Sequence, residues 1–321
     1  MKGWLYTAPH VAPKLIEKED PHAGPGEVVV DIKACGLCHS DVGMLENDEM
    51  AAVFMKAPNI FGHEGAGIVS EVGEGVTCVK VGDRVGIGSQ SPDDPYDIIG
   101  CSRDGCYATK TVAPADWCVP LPENVSFVVG AAGSDAGGTS YHALFTLGQA
   151  KAGMKVGIIG IGGLGQFAAQ MAMIAGCEVY AADTSEEARE LAKNIGCANV
   201  HADANDLAED QPNLILDFAG YDATIRAAAA SAAPGGVVVI VGMGQAGGKV
   251  TINFDDILNK DLTIKGMLGG VKEDVAGVYE YFATGRLHPQ LNVIKFEQVG
   301  EGLEMLKRGE VKGRLVAEVN E

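Results

Sequence analysis

The middle of the chain alternates apolar runs with segments that have a helical period. Residues 156–160 and 178–183 are apolar runs on either side of residues 164–175, whose apolar positions have helical spacing. The order repeats, with apolar runs at 214–218 and 237–242 flanking an Ala-rich segment. Such runs predict buried strands, and strands that alternate with helices form a parallel sheet covered on both faces.

Residues that begin and end helices occur where this pattern needs them. The second helix is predicted to begin at Thr184 or Ser185, with Glu187 three positions after Thr184 in the spacing of a capping box, and to end at Gly196. The 22 residues from Val156 to Cys177 carry no charge, which is long enough for a membrane span. Five glycines in its first half instead favour a buried strand, a tight turn and a helix.

The two ends of the chain follow other patterns. The N-terminal part holds short Val-rich runs, such as EVVVDIKA and AGIVSEVG, broken by Gly and Pro, which is typical of an all-β module. Near the C-terminus, one helical face collects Val275, Val278, Tyr279 and Phe282, and GRLVAEV predicts a closing strand. We expect this tail to pack on the N-terminal module.

Composition and charge narrow the classes of function. The chain has 321 residues, 47% hydrophobic and 21% charged, which is typical of a folded protein of two domains. Its net charge of −19 has the wrong sign for a phosphate backbone or an anionic lipid surface. We therefore expect no nucleic-acid partner and no membrane partner.

Cysteine usage and the N-terminus indicate the compartment. The first residues contain no apolar segment of the kind a signal peptide has, and eight cysteines are too sparse for a secreted disulfide scaffold. We therefore expect a cytoplasmic protein with reduced thiols.

A glycine-rich loop joins the first predicted strand of the middle region to its helix. It satisfies G-x-G-x-x-G with Gly160, Gly162, Gly163, Leu164 and Gly165. Such a loop makes a tight turn, lets the backbone approach a pyrophosphate, and aims a helix N-terminus at the phosphates. The alternative is a strand-helix turn without a ligand.

An acidic residue favours the interpretation of this loop as a phosphate-binding loop. Asp183 lies 23 residues after Gly160 at the end of the next predicted strand. In a dinucleotide-binding fold, a carboxylate at this place accepts hydrogen bonds from the hydroxyls of the adenosine ribose. It repels a 2′-phosphate, and no Lys or Arg occurs at positions 184–188. The spacing predicts NAD rather than NADP.

Two residues of types that bind zinc lie in the β-rich module. Cys38 belongs to GLCHSD, and His63 follows 25 residues later in GHEGAG. A catalytic zinc takes three protein ligands and keeps one open position. Taken singly, Cys38 is more often a buried thiol and His63 more often a core histidine than a metal ligand. Cys35 also forms a C-x-x-C pair with Cys38, so a redox pair or a Cys35 ligand stays open.

Together these motifs resemble the zinc-dependent alcohol dehydrogenases of the medium-chain dehydrogenase/reductase superfamily, over essentially the whole chain. The resemblance implies an α/β fold with a GroES-like β-rich catalytic domain and a Rossmann doubly wound parallel sheet. The boundaries rest on the change of pattern along the chain alone, which puts the catalytic domain at 1–136 and 271–321 and the NAD-binding domain at 137–270. Besides the motifs above, the resemblance rests on Gly82–Val85, Ala136–Tyr141 and Lys265–Gly266.

The resemblance also implies the metal site. Cys38 and His63 match the first two zinc ligands of the family, and Asp135 occupies the position of the third, which is usually Cys but is Asp in the secondary-alcohol branch. Glu64 matches a residue that approaches the metal from behind, and Asp41 matches the carboxylate that orients the histidine.

The same resemblance implies roles in the chemistry. Zinc acts as a Lewis acid on the substrate oxygen while hydride passes reversibly between an alcohol and NAD, and Ser40 accepts the hydroxyl proton. Gly43 stands where the usual relay histidine would be. The proton would then leave by water or by another group, for which His39 is a candidate, although His39 is expected near the pyrophosphate. Thr139 flanks the nicotinamide, and the backbone of Val241 contacts its carboxamide.

Departures from the family pattern predict one zinc and shape the pocket. The four-Cys lobe that binds a structural zinc in many relatives is missing, and we interpret Cys101 and Cys106 as ordinary thiols. Ser89 stands where relatives often have an aromatic wall, which favours secondary alcohols and ketones. The strand at 261–267 lies where relatives form a dimer, so we expect a homodimer or a homotetramer.

Two other functions stay open at this point. One is a zinc-free alkene or quinone reductase of the same superfamily, against which Cys38, His63 and Glu64 argue. The other is a non-catalytic NAD(H)-binding protein, which Gly43 and Asp135 favour. Fold alone does not decide between them.

Overall fold

The computed structural model describes residues 1–88, 90, 91 and 93–319, and its chain divides into two compact units. Unit 1 comprises Met1–Gly138, Gly269–Gly285 and the chain from Leu291 onward. Unit 2 comprises Thr139–Leu268 and Arg286–Gln290. Ser89, which we expected beside the substrate, lies outside the described residues.

The N-terminal part of unit 1 consists mainly of short strands, as its broken Val-rich runs predict. The elements in chain order are β1 (Lys2–Tyr6), β2 (Lys14–Glu17), β3 (Glu27–Leu37), α1 (His39–Glu46), α2 (Asp48–Phe54), β4 (Asn59–Ile60), β5 (Gly65–Val72), β6 (Arg84–Ile87), β7 (Lys110–Pro114), β8 (Cys118–Pro120) and α3 (Phe127–Ala132). The helical path continues from α3 through wide π turns at Gly133–Gly137, α4 (Gly138–Tyr141) and further π turns at His142–Leu147.

Unit 2 has the alternating strands and helices that the middle of the sequence predicts. They are β9 (Lys155–Ile159), α5 (Gly165–Ile174), β10 (Glu178–Ala182), α6 (Glu186–Ile195), β11 (Asn199–His201), β12 (Leu214–Asp217), α7 (Asp222–Ser231), β13 (Val237–Ile240), α8 (Phe254–Lys260) and β14 (Thr263–Gly266). All neighbouring strands are parallel, in the order β11-β10-β9-β12-β13-β14. This is the order of a doubly wound dinucleotide-binding sheet, so the predicted fold class is confirmed.

Local signals in unit 2 act as expected, and the structure shows which of two residues caps α6. Ser185, rather than Thr184, is the N-cap of α6, and its Oγ accepts a hydrogen bond from the N–H of Ala188 at 3.3 Å. Gly196 ends the helix in the left-handed region at φ 102°. The uncharged stretch contains β9, the glycine loop and α5. No helix in the described part of the chain is long and apolar enough to cross a membrane.

The C-terminal part returns to unit 1. It contains α9 (Lys272–Ala283), β15 (Leu291–Lys295), α10 (Val299–Lys307) and β16 (Arg314–Glu318). The predicted apolar face of α9 is buried. Strand β16 pairs antiparallel with β3 in a sheet ordered β15-β16-β3-β5-β6-β8, with β7 also paired to β3. The last strand therefore completes the sheet that the N-terminal strands begin, while β2-β1-β4 forms a separate sheet.

A short piece of this tail belongs to unit 2 because two glutamines of α5 hold its backbone. Gln166 donates from Nε2 to the carbonyl of Gln290 at 3.2 Å and accepts from its N–H at 2.6 Å. Gln170 makes the same pair of bonds with His288 at 3.1 and 2.9 Å. The side-chain amides thus replace a neighbouring strand for this segment.

Candidate active site

The three predicted zinc ligands come together in unit 1. Cys38 is the N-cap residue of α1, His63 lies between β4 and β5, and Asp135 lies in the π turns after α3. All three are buried, and one ligand atom of each lies within 4.8 Å of the other two. Thiolate, imidazole and carboxylate are donors that zinc binds, and three of them suit a catalytic site, so the donor set fits this metal. The described residues contain no second cluster of this kind.

Neighbouring charges prepare these ligands. Burial opposes ionisation of the Cys38 thiol, but the positive charge of Arg314 and a hydrogen bond with His63 lower its pKa. Burial also opposes a charged imidazole, whereas the carboxylates of Asp41 and Asp135 raise the pKa of His63 well above its ordinary value. Metals bind thiolate and neutral imidazole, so a metal at this site would favour the thiolate of Cys38 and the neutral form of His63.

Asp41 supports two of the ligands from behind. Its Oδ1 lies 3.0 Å from Nδ1 of His63, and its Oδ2 accepts a hydrogen bond from the N–H of Cys38 at 3.1 Å. The same Oδ2 accepts the O–H of Tyr107, a residue that sequence reasoning missed. The carboxylate lies beside Nδ1 and favours a proton there, which leaves Nε2 on the side of the other ligands.

Glu64 and Arg314 form a buried ion pair beside the ligands. Nε of Arg314 donates to Oε2 of Glu64 at 2.9 Å, its Nη2 contacts the same oxygen, and Nη2 also donates to Oδ2 of Asp135 at 3.0 Å. Burial raises the pKa of Glu64 to about 8 although Arg314 opposes the shift. Oε1 of Glu64 has no hydrogen-bond partner among the described residues. Sequence reasoning missed Arg314, although an arginine within the apolar run RLVAEV is itself a signal, because a buried cation needs a partner.

The first turn of α1 places Ser40 at the site and His39 at the surface. Oγ of Ser40 lies 3.4 Å from Nε2 of His63, whereas the side chain of His39 is exposed. At Gly43, one turn further, a Cβ would lie 2.7 Å from Sδ of Met50. The absence of a side chain there thus lets α1 pack on α2.

In unit 2, the glycines of the loop have different structural roles. Gly160 has φ +88°, and a Cβ at Gly165 would overlap the carbonyl oxygen of Gly160, so the turn and the helix contact both need glycine. A Cβ at Gly162 would meet nothing within 4 Å, which leaves open space above the backbone for a phosphate. Gly163 and Leu164 complete the turn, and the carbonyl of Leu164 accepts from Oγ of Ser140 at 2.9 Å.

Asp183 lies at the edge of this loop. Its Oδ2 accepts the N–H of Ile161 at 2.7 Å, and its Oδ1 accepts the N–H of Ser185 at 2.8 Å. Nη1 of Arg189 donates to the carbonyls of Asp183 and Thr184, each at 2.8 Å. Arg189 is six positions after Asp183, and the helix between them brings its guanidinium back to the end of the strand. Arg189 is therefore closer to the predicted ribose position than its place in the sequence suggests.

The other predicted residues take scattered positions. Thr139 is buried, and Val241 is partly exposed and donates its N–H to the carbonyl of Asp217 at 2.9 Å. Both lie in unit 2. Burial raises the pKa of Cys101 and of Cys106 to about 12, so both are protonated thiols.

The sequence matches known proteins over its whole length. The family model of a zinc-binding dehydrogenase matches residues 163–284, and that of an alcohol dehydrogenase GroES-like domain matches residues 24–123. The chain is 36% identical to an alcohol dehydrogenase of Geobacillus stearothermophilus, covering 100% of both chains.

Solved structures agree. The acetophenone reductase of Geotrichum candidum, in complex with NAD, has a TM-score of 0.88 at 28% identity and covers 99% of this chain and 97% of its own. A thermostable alcohol dehydrogenase of Pyrobaculum aerophilum, with cobalt and zinc bound, has a TM-score of 0.86 at 26% identity and covers 99% of both chains.

Proposed function

The chain belongs to the zinc-dependent alcohol dehydrogenases, and from this we infer that it transfers hydride reversibly between an alcohol and NAD. The observation that carries this inference is the buried cluster of Cys38, His63 and Asp135. A zinc-free reductase has no use for three buried metal donors at one point, since burying ionisable groups costs stability.

Zinc would be held by these three side chains, and the fourth position would be left for substrate. When bound, zinc supplies a Lewis acid that lowers the pKa of the substrate hydroxyl, and NAD supplies the hydride acceptor. Oγ of Ser40, close to Nε2 of His63, takes the hydroxyl proton. Asp41 keeps the imidazole oriented, and Arg314 holds the carboxyl groups of Glu64 and Asp135 by hydrogen bonds.

Unit 2 would hold the cofactor. The backbone of Gly160, Gly162, Gly163, Leu164 and Gly165 would contact the pyrophosphate, and Asp183 would accept hydrogen bonds from the adenosine ribose. In the same proposal Thr139 flanks the nicotinamide, and the backbone of Val241 contacts the carboxamide. His39 would face the pyrophosphate.

The substrate is proposed to be a secondary alcohol or the corresponding ketone. Two observations support this class. Aspartate stands at position 135, as in the secondary-alcohol branch of the family, and a relative of 28% identity is named as an acetophenone reductase.

The remaining proposals concern organisation. We assign residues 1–136 and 271–321 to the catalytic domain and 137–270 to the NAD-binding domain. A cytoplasmic location is supported by eight cysteines that are all free. A homodimer or homotetramer is supported by the exposed edge strand β14 and the apolar surface of α8.

Metal analysis combined with a turnover assay tests the function. We expect about one zinc per chain and NAD-dependent oxidation of secondary alcohols, with the matching ketones reduced by NADH. Protein without zinc that reduces activated alkenes would instead be a zinc-free reductase. Protein that binds zinc and NAD but turns over no alcohol or ketone would be a binding protein. Two tightly held zinc ions per chain would show that a structural metal persists without the four-Cys lobe.

A further inference from the structure

Tyr107 is a fully buried tyrosine that contacts the carboxylate behind a predicted zinc ligand. Its side chain has 0% exposure, and its O–H donates to Oδ2 of Asp41. The other oxygen of Asp41 faces Nδ1 of His63 at 3.0 Å. Hydroxyl, carboxylate and imidazole therefore form one chain that ends at a metal ligand.

The surroundings keep this hydroxyl a donor and keep the ring in place. Burial and the charge of Asp41 raise the pKa of Tyr107 well above its ordinary value, so the hydroxyl stays protonated. The backbone of Tyr107 donates to the carbonyl of Phe61 at 2.9 Å and accepts from the N–H of Trp4 at 2.8 Å. These bonds do not involve the hydroxyl, so they hold the backbone of Tyr107 in place without it.

The chain also leaves room for the ring beside the ligand. Gly62, directly before His63, has φ +92°, and a Cβ there would overlap the ring of Tyr107. The ring of Phe61 packs edge-on against the same tyrosine, with centroids 5.9 Å apart. Glycine at position 62 thus serves both the turn that presents His63 and the close approach of Tyr107.

We propose that Tyr107 is a positioning residue for the metal site, whose hydroxyl holds Asp41 so that Asp41 fixes the tautomer and orientation of His63. Without the hydroxyl, Oδ2 of Asp41 would retain only the N–H of Cys38 as donor in a buried position. A less restrained carboxylate orients the imidazole less well, and loss of such support commonly weakens metal binding. The inference rests on the proposed function only in taking Cys38, His63 and Asp135 as the zinc ligands.

The test compares two tyrosines of one aromatic cluster. Tyr107→Phe removes only the hydroxyl, and we expect the dissociation constant for zinc, measured by competition with a chromophoric chelator, to rise about 10- to 100-fold. Tyr6→Phe is the matched control, because Tyr6 packs on Phe61 but its hydroxyl points to the carbonyl of Met44 at 3.5 Å. Its zinc affinity should be that of the parent protein.

A spectroscopic readout separates positioning from general loss of structure. With Co²⁺ in place of zinc, the visible bands of Tyr107→Phe should shift while those of Tyr6→Phe stay unchanged, because the ligand field follows the imidazole orientation. Adding Tyr107→Phe to Asp41→Asn should weaken zinc binding less than twofold further, since both changes break the same chain. If Tyr107→Phe does not fold, 3-fluorotyrosine can be incorporated into Tyr6→Phe protein, in which Tyr6 no longer contributes. The hydroxyl of 3-fluorotyrosine is a stronger donor, so zinc binding should become tighter.

Several results would overturn the proposal. They are native zinc affinity and cobalt bands in Tyr107→Phe, equal weakening by Tyr6→Phe, additive effects with Asp41→Asn, or unchanged zinc affinity with 3-fluorotyrosine. If the parent protein itself binds no zinc, the proposed function fails before Tyr107 is tested, so the two failures are distinguishable.

Discussion

Asp135 is the residue at which the ligand set departs from the usual cysteine of the family. Its Oδ2 lies 3.4 Å from Nε2 of His63 and accepts from Nη2 of Arg314 at 3.0 Å. A carboxylate has two oxygens, so it can bind a metal and keep a bond to the guanidinium. A thiolate offers one sulfur atom for both tasks.

Asp135→Ala should therefore lose zinc. Only two ligands would remain, and we expect the zinc content to fall from about one per chain to near zero on dialysis, with turnover reduced at least ~10²-fold. NAD binding should be nearly unchanged, which titration of NADH fluorescence will show. Asp135→Cys restores a donor and should retain the metal. An Asp135→Ala protein with full zinc and activity would remove Asp135 from the ligand set.

Asp183 and Arg189 together set the cofactor preference at the residue scale. We expect the parent enzyme to prefer NAD, and Asp183→Gly to weaken NAD binding and strengthen NADP binding, because the repelling carboxylate is gone while the Arg189 guanidinium remains near the ribose. Dissociation constants for 5′-AMP and 2′,5′-ADP, measured by calorimetry, will report this.

The control removes the cation. Adding Arg189→Ala to Asp183→Gly should cost about 10- to 100-fold in 2′,5′-ADP affinity, the value of a charged hydrogen bond. Lys193→Ala, further along the same helix and paired with Glu190 at 2.6 Å, should not. Equal affinity of the parent enzyme for NAD and NADP would refute the role of Asp183.

Ser40 is the residue predicted to take the substrate proton. Ser40→Ala should lower kcat by ~10²- to 10⁴-fold, the usual contribution of a general acid-base group, while zinc and NAD remain bound. Ser40→Thr keeps a hydroxyl at the same place and should restore part of the rate. A pH-rate profile of the alanine variant that matches the parent enzyme in height and shape would count against this assignment.

At the scale of elements, a short polar loop stands where relatives carry the four-Cys lobe. Nε and Nη2 of Arg103 donate to the two oxygens of Asp97, each at 2.7 Å. Nδ2 of Asn59 donates to the carbonyl of Gly100 at 3.0 Å and lies within 3.3 Å of the carbonyls of Cys101 and Arg103. Side-chain hydrogen bonds thus hold residues 97–103 at this place.

This arrangement makes Asn59 important for stability. Asn59 is buried, so Asn59→Ala leaves the carbonyl of Gly100 without its side-chain donor, and we expect a loss of about 1–3 kcal/mol, seen as a lower Tm by calorimetry. Asn124→Ala, which removes one exposed hydrogen bond to the carbonyl of Ala283, should change Tm little. A Tm equal to that of the parent protein would mean that other contacts hold the loop.

At the scale of the whole molecule, unit 2 exposes apolar side chains of α8 and has β14 at the edge of its sheet. Phe254 and Leu258 of α8 are 71% and 61% exposed, and β14 is the last strand of its sheet. An open strand edge next to exposed large apolar side chains is a common self-association surface.

We expect light scattering to give at least twice the mass of one chain. The double variant Phe254→Glu and Leu258→Glu should shift the protein toward monomer, because two charges per chain would be buried without partners. Val81→Glu, at a residue 57% exposed in a loop, is the control and should leave the mass unchanged. A monomeric parent protein would contradict the proposed assembly.

Features that depend on near neighbours along the chain were determined by the sequence itself. The spacing of apolar residues determined the parallel sheet of unit 2, and Gly160, Gly165 and Asp183 determined the loop at its strand ends. The candidate ligands were recognisable because Cys38 and His63 lie in two short motifs and Asp135 directly precedes a third. Local periodicity and turn chemistry act over a few residues, so they can be inferred without the fold.

Contacts between distant segments were decided only by the tertiary structure. Glu64 and Arg314 are separated by 250 positions, and Asp41 and Tyr107 by 66. Each pair forms because β3, β5 and β16 share a sheet or because an aromatic ring enters the space above a glycine, and neither has a local sequence signature. The residues predicted to bind the metal are thus readable from motifs. The residues that contact them from behind depend on which strands become neighbours, since buried polar groups find partners through packing.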